Sequence, residues 1–153
     1  MTVSQRLAEL GITLPAVVPP VAAYVPAVVH GDLVYTAGQL PMVEGALPAI
    51  GKVGAEVVAE DAKAYARQSA LNAIAAAAAA VGGVDRLTGV VKVVGFVAST
   101  PDFTGQPGVI NGASELLGDV FGEAGRHARS AVAAPVLPLD SPVEVEVIFS
   151  FAR

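Results

Sequence analysis

Residues 143–151 read VEVEVIFSF. Val143, Val145, Val147, Phe149 and Phe151 fall on one side of an extended chain; Glu144, Glu146, Ile148 and Ser150 fall on the other. This period-two alternation predicts a strand with one face turned to a core. Such a face needs a covering layer, and two upstream segments are suited to supply it. Over 56–81, Ala62, Ala66, Ala70, Ala73, Ala77 and Val81 recur at helical spacing, with Glu56, Glu60 and Asp61 early and Gly82-Gly83 as the stop. Over 106–122, Val109, Ala113, Leu116, Leu117 and Val120 share a second helical face. Further strands are expected at 87–99, valine-rich with Gly95 marking a bulge or close backbone approach, and at Arg129–Val136. A hairpin is expected from Ala23–Val29 and Leu33–Ala37 about the turn HGD at 30–32. A short helix at 4–10, capped by Ser4 and ended by Gly11, leads into a proline-punctuated extended arm. The expected fold is therefore α+β, in the order β-β-α-β-α-β-β, with both main helices on one face of one sheet. Residues 1–20 form a helix and arm, and 21–153 a single domain without internal repeats.

The composition narrows the function classes. The chain is 54% hydrophobic and 15% charged, with a mean hydropathy of +0.62. Its longest uncharged run, Leu14–Val29, is broken by Pro15, Pro19, Pro20 and Pro26, so no membrane span is expected. No basic start followed by an apolar run marks a signal peptide, and a cytoplasmic location is expected. The excess apolar surface, including the sheet face without helices, is expected to be hidden against copies of the same chain. The net charge of −5 and the scatter of nine basic residues argue against nucleic acid as a partner. Without cysteine there is no disulfide, thiolate catalysis or sulfur-ligated zinc, and two histidines are too few for a histidine-rich metal site.

Several segments together resemble the Rid family, the reactive-intermediate deaminases also known as L-PSP endoribonucleases or YjgF-like proteins. They are AAYVPAVVHGDLVYTAGQLP, ARQSALNAIAAA, VVKVVGFVAS, DFTGQPGVINGASEL, HARSAV and LPLDSPVEVEVIF, in order over roughly residues 21–149. The resemblance implies a chorismate-mutase-like fold assembled as a homotrimer, with sheets forming a central barrel and clefts between subunits. It implies hydrolysis of enamines or imines to 2-oxo acids and ammonia, on a small carboxylate-bearing substrate, with no cofactor and no metal. It places the substrate-binding arginine at Arg129, the acidic residue at Glu144, the arm tyrosine at Tyr24 and the helix asparagine at Asn111. Arg129, Glu144 and Tyr24 are thus the catalytic candidates. Arg129, Asn111, Tyr24, Ala37, Gly38 and Ala131 are the substrate-binding candidates. Two positions depart from the well-studied members: TAGQ puts Ala37 where they carry serine, and ARSAV puts Ala131 where they carry cysteine. Extra length at 40–55 and 104–108 marks a divergent subgroup.

The chemistry suits these residue types, and each has a competing structural reading. A guanidinium grips a carboxylate through two parallel hydrogen bonds; alternatively, Arg129 forms an ion pair with Glu144 or Glu146 across the strands. Glu146 lies two residues from Glu144 and shares its face, so either can be the functional acid. Tyr24 is read as a pocket wall or a packing aromatic, and Asn111 as a ligand-orienting amide or a capping residue. His127 and His30 are read as loop residues, and Lys52 and Lys92 as surface charges. The alternative function is a carboxylate-binding module that has lost turnover; RNA cleavage is the weakest reading.

Overall fold

A computed structural model describes residues 1–153. Its elements are α1 (Val3–Glu9), β1 (Ala27–His30), β2 (Leu33–Thr36), α2 (Ala59–Val81), β3 (Leu87–Ala98), α3 (Gln106–Phe121), β4 (Ala128–Ala134) and β5 (Val143–Phe151), with three short 3-10 turns between them. The strands form one open five-stranded sheet in the order β1-β2-β5-β3-β4. All neighbours are antiparallel except β3 and β4, which run parallel. A parallel pair needs a crossover, and α3 provides it.

β5 lies at the centre of the sheet, as its alternation requires. Val143, Val145, Val147 and Phe149 are buried, whereas Glu144, Glu146, Ile148 and Ser150 are only partly covered. Val93 and Val97 of β3 join the buried face, and α2 and α3 close the core above it. Gly95 marks a close approach: a Cβ there would lie 2.5 Å from Ile110 Cδ1 of α3. The irregularities in β3 fall elsewhere, between Leu87 and Gly89 and between Val90 and Lys92.

The alanines of α2 let it sink between the sheet and its neighbours. Ala62, Ala66, Ala70, Ala73 and Ala77 are fully buried. Gly112 of α3 does the same between helices, since a Cβ there would collide with the backbone carbonyl of Lys63. The helix starts at Ala59 rather than at 56, because the Glu56 carboxylate accepts from the Lys52 N–H at 2.8 Å and holds a turn. α1 is capped by Thr2 through a capping box with Gln5, not by Ser4. Ser4 instead donates from its hydroxyl and its N–H to Asp85, both at 2.7 Å.

The other face of the sheet carries no helix. Val28, Tyr35, Val91 and Val132 are at least 40% exposed there, and Val94, Phe96 and Ile148 are partly exposed between them. No helix of the chain is long and apolar enough to cross a membrane.

Candidate functional site

Glu144 and Gly38 meet because two backbone hydrogen bonds tie the loop after β2 to β5. Gln39 N–H donates to Val145 O at 2.8 Å, and Val145 N–H donates to Gln39 O at 3.0 Å. Gly38 leaves room for the neighbouring carboxylate, since a Cβ at this position would overlap Glu144 Oε1. Below the loop, the buried amide of Asn72 on α2 donates to Leu40 O and Met42 O, both at 3.0 Å, and accepts from Gln68. This polar staple within an apolar helix holds the loop from underneath.

The result is a small open cleft of about 50 Å³. Glu144, Gly38, Tyr24 and Gln39 line it together with apolar arm residues, including Val18, Pro19 and Val21. The Tyr24 hydroxyl accepts from Val21 N–H at 3.2 Å, so its own proton is free to donate. Pro138 forms part of the rim. Its turn contains Leu139 and Asp140 at φ 58° and 57°, a left-handed conformation unfavourable for side chains with a Cβ. Lys52 braces that turn through a 2.7 Å ion pair with Asp140, and Gly51 N–H donates to Asp140 O at 2.9 Å. Lys52 is therefore a strut rather than a loose surface charge. Burial pushes the Glu144 carboxyl above the usual carboxylate range, and the charge of Glu146 adds to the rise. Glu146 faces a separate hollow with Tyr35, Thr36 and Lys92. Of the two acids, Glu144 is the one that lines the cleft with Tyr24.

Arg129 lies elsewhere. On β4 it pairs with Val93, whose side chain is on the buried face. Arg129 therefore points to the helix side of the sheet. There α3 holds it: Nη1 donates to Asn111 Oδ1 at 2.8 Å and to Ser114 Oγ at 3.2 Å, and Nη2 donates to Pro107 O at 3.3 Å. Pro107, Asn111 and Ser114 follow one another at spacings of four and three, which places them on one helical face. A guanidinium has five N–H groups. Those three bonds leave Nε–H and one Nη2–H without an acceptor in the chain.

The alternative reading of Arg129, an ion pair with Glu144 or Glu146, does not hold: no such pair forms. The register explains this. Phe96 pairs with Glu144 on one side and with Val132 on the other, so Glu144 is level with Val132, three residues along β4 from Arg129. Three residues are roughly 10 Å along a strand, and β3 intervenes between β4 and β5 with spacings of about 4.8 Å. The two side chains also leave opposite faces of the sheet. The candidates thus form two groups: Tyr24, Gly38 and Glu144 at the cleft, and Arg129 and Asn111 beside α3. Ala37 adjoins the first group and donates its N–H to Pro26 O at 2.8 Å. Ala131, two residues after Arg129 and on its face, packs against the core.

Ser114 and His127 also belong to the arginine group. His127 is half-buried rather than a free loop residue, with Nε2 2.9 Å from Ser114 Oγ and Nδ1 2.6 Å from Gly125 O. The available signals were spacings: Asn111 and Ser114 three apart on a helix, and His127 and Arg129 two apart at the start of a strand.

Comparison with known proteins places the chain in a larger group. The family described as "YjgF/chorismate_mutase-like, putative endoribonuclease" matches residues 4–152. Protein TCP17 of Trypanosoma cruzi is 42% identical over 147 residues, covering 95% of this chain and 92% of that protein. The crystal structure of Atu1372 from Agrobacterium tumefaciens, described as of unknown function, superposes with a TM-score of 0.90 at 43% identity, covering 98% of this chain and 92% of that one. The E. coli TdcF structure with bound serine superposes with a TM-score of 0.62 at 26% identity, covering 90% and 93% of the two chains.

Proposed function

The chain belongs to the YjgF/chorismate-mutase-like family, and from that membership and its divided site we propose that it hydrolyses enamine or imine intermediates to 2-oxo acids and ammonia in clefts between copies of itself. One observation carries the reading: Arg129 is fixed by three acceptors, faces no carboxylate of its own chain and retains two N–H donors. A ligand carboxylate is the partner that fits two donors on a rigid guanidinium. TdcF with bound serine is a relative holding a small molecule with such a group.

The chemistry then needs an acid–base group near the reacting carbon. In imine hydrolysis, water oxygen bonds to the C=N carbon, the nitrogen gains protons, and the C–N bond breaks to leave a carbonyl and ammonia. Glu144 is suited to carry a proton from the water to the nitrogen, because its raised pKa brings it closer to the working range of a general acid–base. Tyr24 supplies a free O–H to the same cleft. The Arg129 group of one copy and the Glu144 group of another would share one substrate, and burial of the open apolar face would bring the copies together. A homotrimer accounts for both features.

The test supplies 2-aminoacrylate and follows release of 2-oxo acid and ammonia. Wild type is expected to exceed Arg129→Ala by orders of magnitude; equal rates would overturn the reading. The second reading, a carboxylate-binding module without turnover, is favoured by Ala37 and Ala131, which remove polar groups. It predicts Arg129-dependent thermal stabilisation by a 2-oxo acid with no consumption of imine. RNA cleavage has little support in a chain of net charge −5.

A further inference from the structure

The arginine group contains a hydrogen-bond chain whose direction can be worked out from its first member. Gly125 O only accepts, so the 2.6 Å contact from His127 Nδ1 requires a proton on Nδ1. A neutral imidazole carries one proton, which leaves Nε2 as an acceptor. Ser114 Oγ, 2.9 Å away, must therefore donate to it. With its proton so directed, Ser114 Oγ offers a lone pair to Arg129 Nη1 at 3.2 Å. The opposite tautomer would set an imidazole lone pair against a carbonyl oxygen.

We propose that Ser114 and His127 are positioning residues for Arg129, holding its guanidinium in one rotational setting so that its two unfilled N–H donors are preorganised for a ligand carboxylate. The inference rests on the carboxylate-binding reading of Arg129. Asn111 and Pro107 O each take one N–H, on different terminal nitrogens, and leave the second N–H of Nη1 to be held. Ser114 adds a second contact on the same nitrogen. His127 keeps the Ser114 hydroxyl from turning to a carbonyl of its own helix, as serine does when unpartnered. A side chain held in place before binding loses less freedom when the ligand arrives, so the effect falls on substrate affinity rather than on the chemical step.

Two measurements test this, the first without ligand. Nitrogen-15 NMR of the wild-type protein at a pH where His127 is neutral should show the Nδ1–H tautomer and slowed rotation of the Arg129 Nη groups. Ser114→Ala and His127→Ala should speed that rotation, and Ser114→Thr should restore it. The Nε2–H tautomer, or rotation indifferent to both alanine variants, would overturn the proposal. Second, the affinity for 2-oxobutanoate should fall roughly five- to tenfold in Ser114→Ala and His127→Ala, as for one lost hydrogen bond, and recover in Ser114→Thr. Arg129→Ala should abolish binding. If Arg129→Ala binds like wild type, the carboxylate-binding reading fails. If it loses binding while both positioning variants bind like wild type, only the positioning role fails.

Discussion

Glu144 is held in surroundings that disfavour its charge, and this has a measurable consequence. Its pKa is raised first by burial and then by Glu146. A carboxyl with a raised folded pKa contributes stability that is fully present below its ordinary value and lost as pH rises through the raised one. Glu144→Gln should therefore raise the melting temperature at neutral pH. Its advantage should shrink as pH falls and vanish below about 4.3, where unfolded carboxyls also protonate. Melting curves of both proteins between pH 4 and 8 check this; a constant difference would contradict it. Arg129 supports a second prediction at the same scale. Arg129→Lys keeps the charge but lacks the two-donor fork, so affinity for a 2-oxo acid should fall at least about tenfold, the effect of losing a hydrogen bond to a charged group. The types of both residues were legible in the sequence, but their relation was not. Alternation tells which neighbours within a strand share a face. It does not tell which face of β4 aligns with which face of β5, since that depends on the registers through β3. The family resemblance named both residues as candidates without placing them on opposite faces.

At the scale of elements, small residues set the distance between layers. Gly112 lets α3 approach the backbone of α2, and Gly118 on the same helix faces open space. The two should respond oppositely to alanine. Gly112→Ala should cost about 1–3 kcal/mol through overpacking, while Gly118→Ala should gain up to about 1 kcal/mol from helix propensity. Urea unfolding of the pair reads both signs, and equal effects would mean that contact at Gly112 does not govern the packing. The alanine period of α2, the apolar face of α3 and the alternation of β5 were legible because each repeats over many residues. Elements set by one side chain were harder to read. α1 begins at Val3, after the N-cap Thr2, because a capping box outranks a lone Ser4, which is engaged by Asp85. α2 starts late because Glu56 bonds back to Lys52. Asn72 interrupts an apolar helix, and its loop partners, Leu40 and Met42, are 30 or more residues away in sequence.

For the whole molecule, the open face and the divided site make the same demand. An apolar sheet face with Val28, Tyr35 and Val132 in solvent favours association, and under the proposed function the two residue groups meet on one ligand through a second copy. The expectation of self-association came from the composition, 54% hydrophobic and 15% charged; the exposed sheet face is where it would act. On the proposed association, wild type should sediment as an oligomer, and Val132→Asp, which places a charge on that face and leaves the core intact, should sediment as a monomer. Activity should be lost with it, although Val132 belongs to neither residue group.

The claim that the two groups complete one another across copies is tested most directly by mixing two inactive variants. Arg129→Ala and Glu144→Gln are each expected to be inactive in imine hydrolysis. They are mixed in equal amounts, dissociated and reassembled. In a closed ring in which each cleft takes Arg129 from one copy and Glu144 from the next, random assembly leaves roughly a quarter of the clefts with both residues intact. Recovery of about that fraction of wild-type activity is expected. Activity no greater than the sum of the two variants measured alone would contradict it.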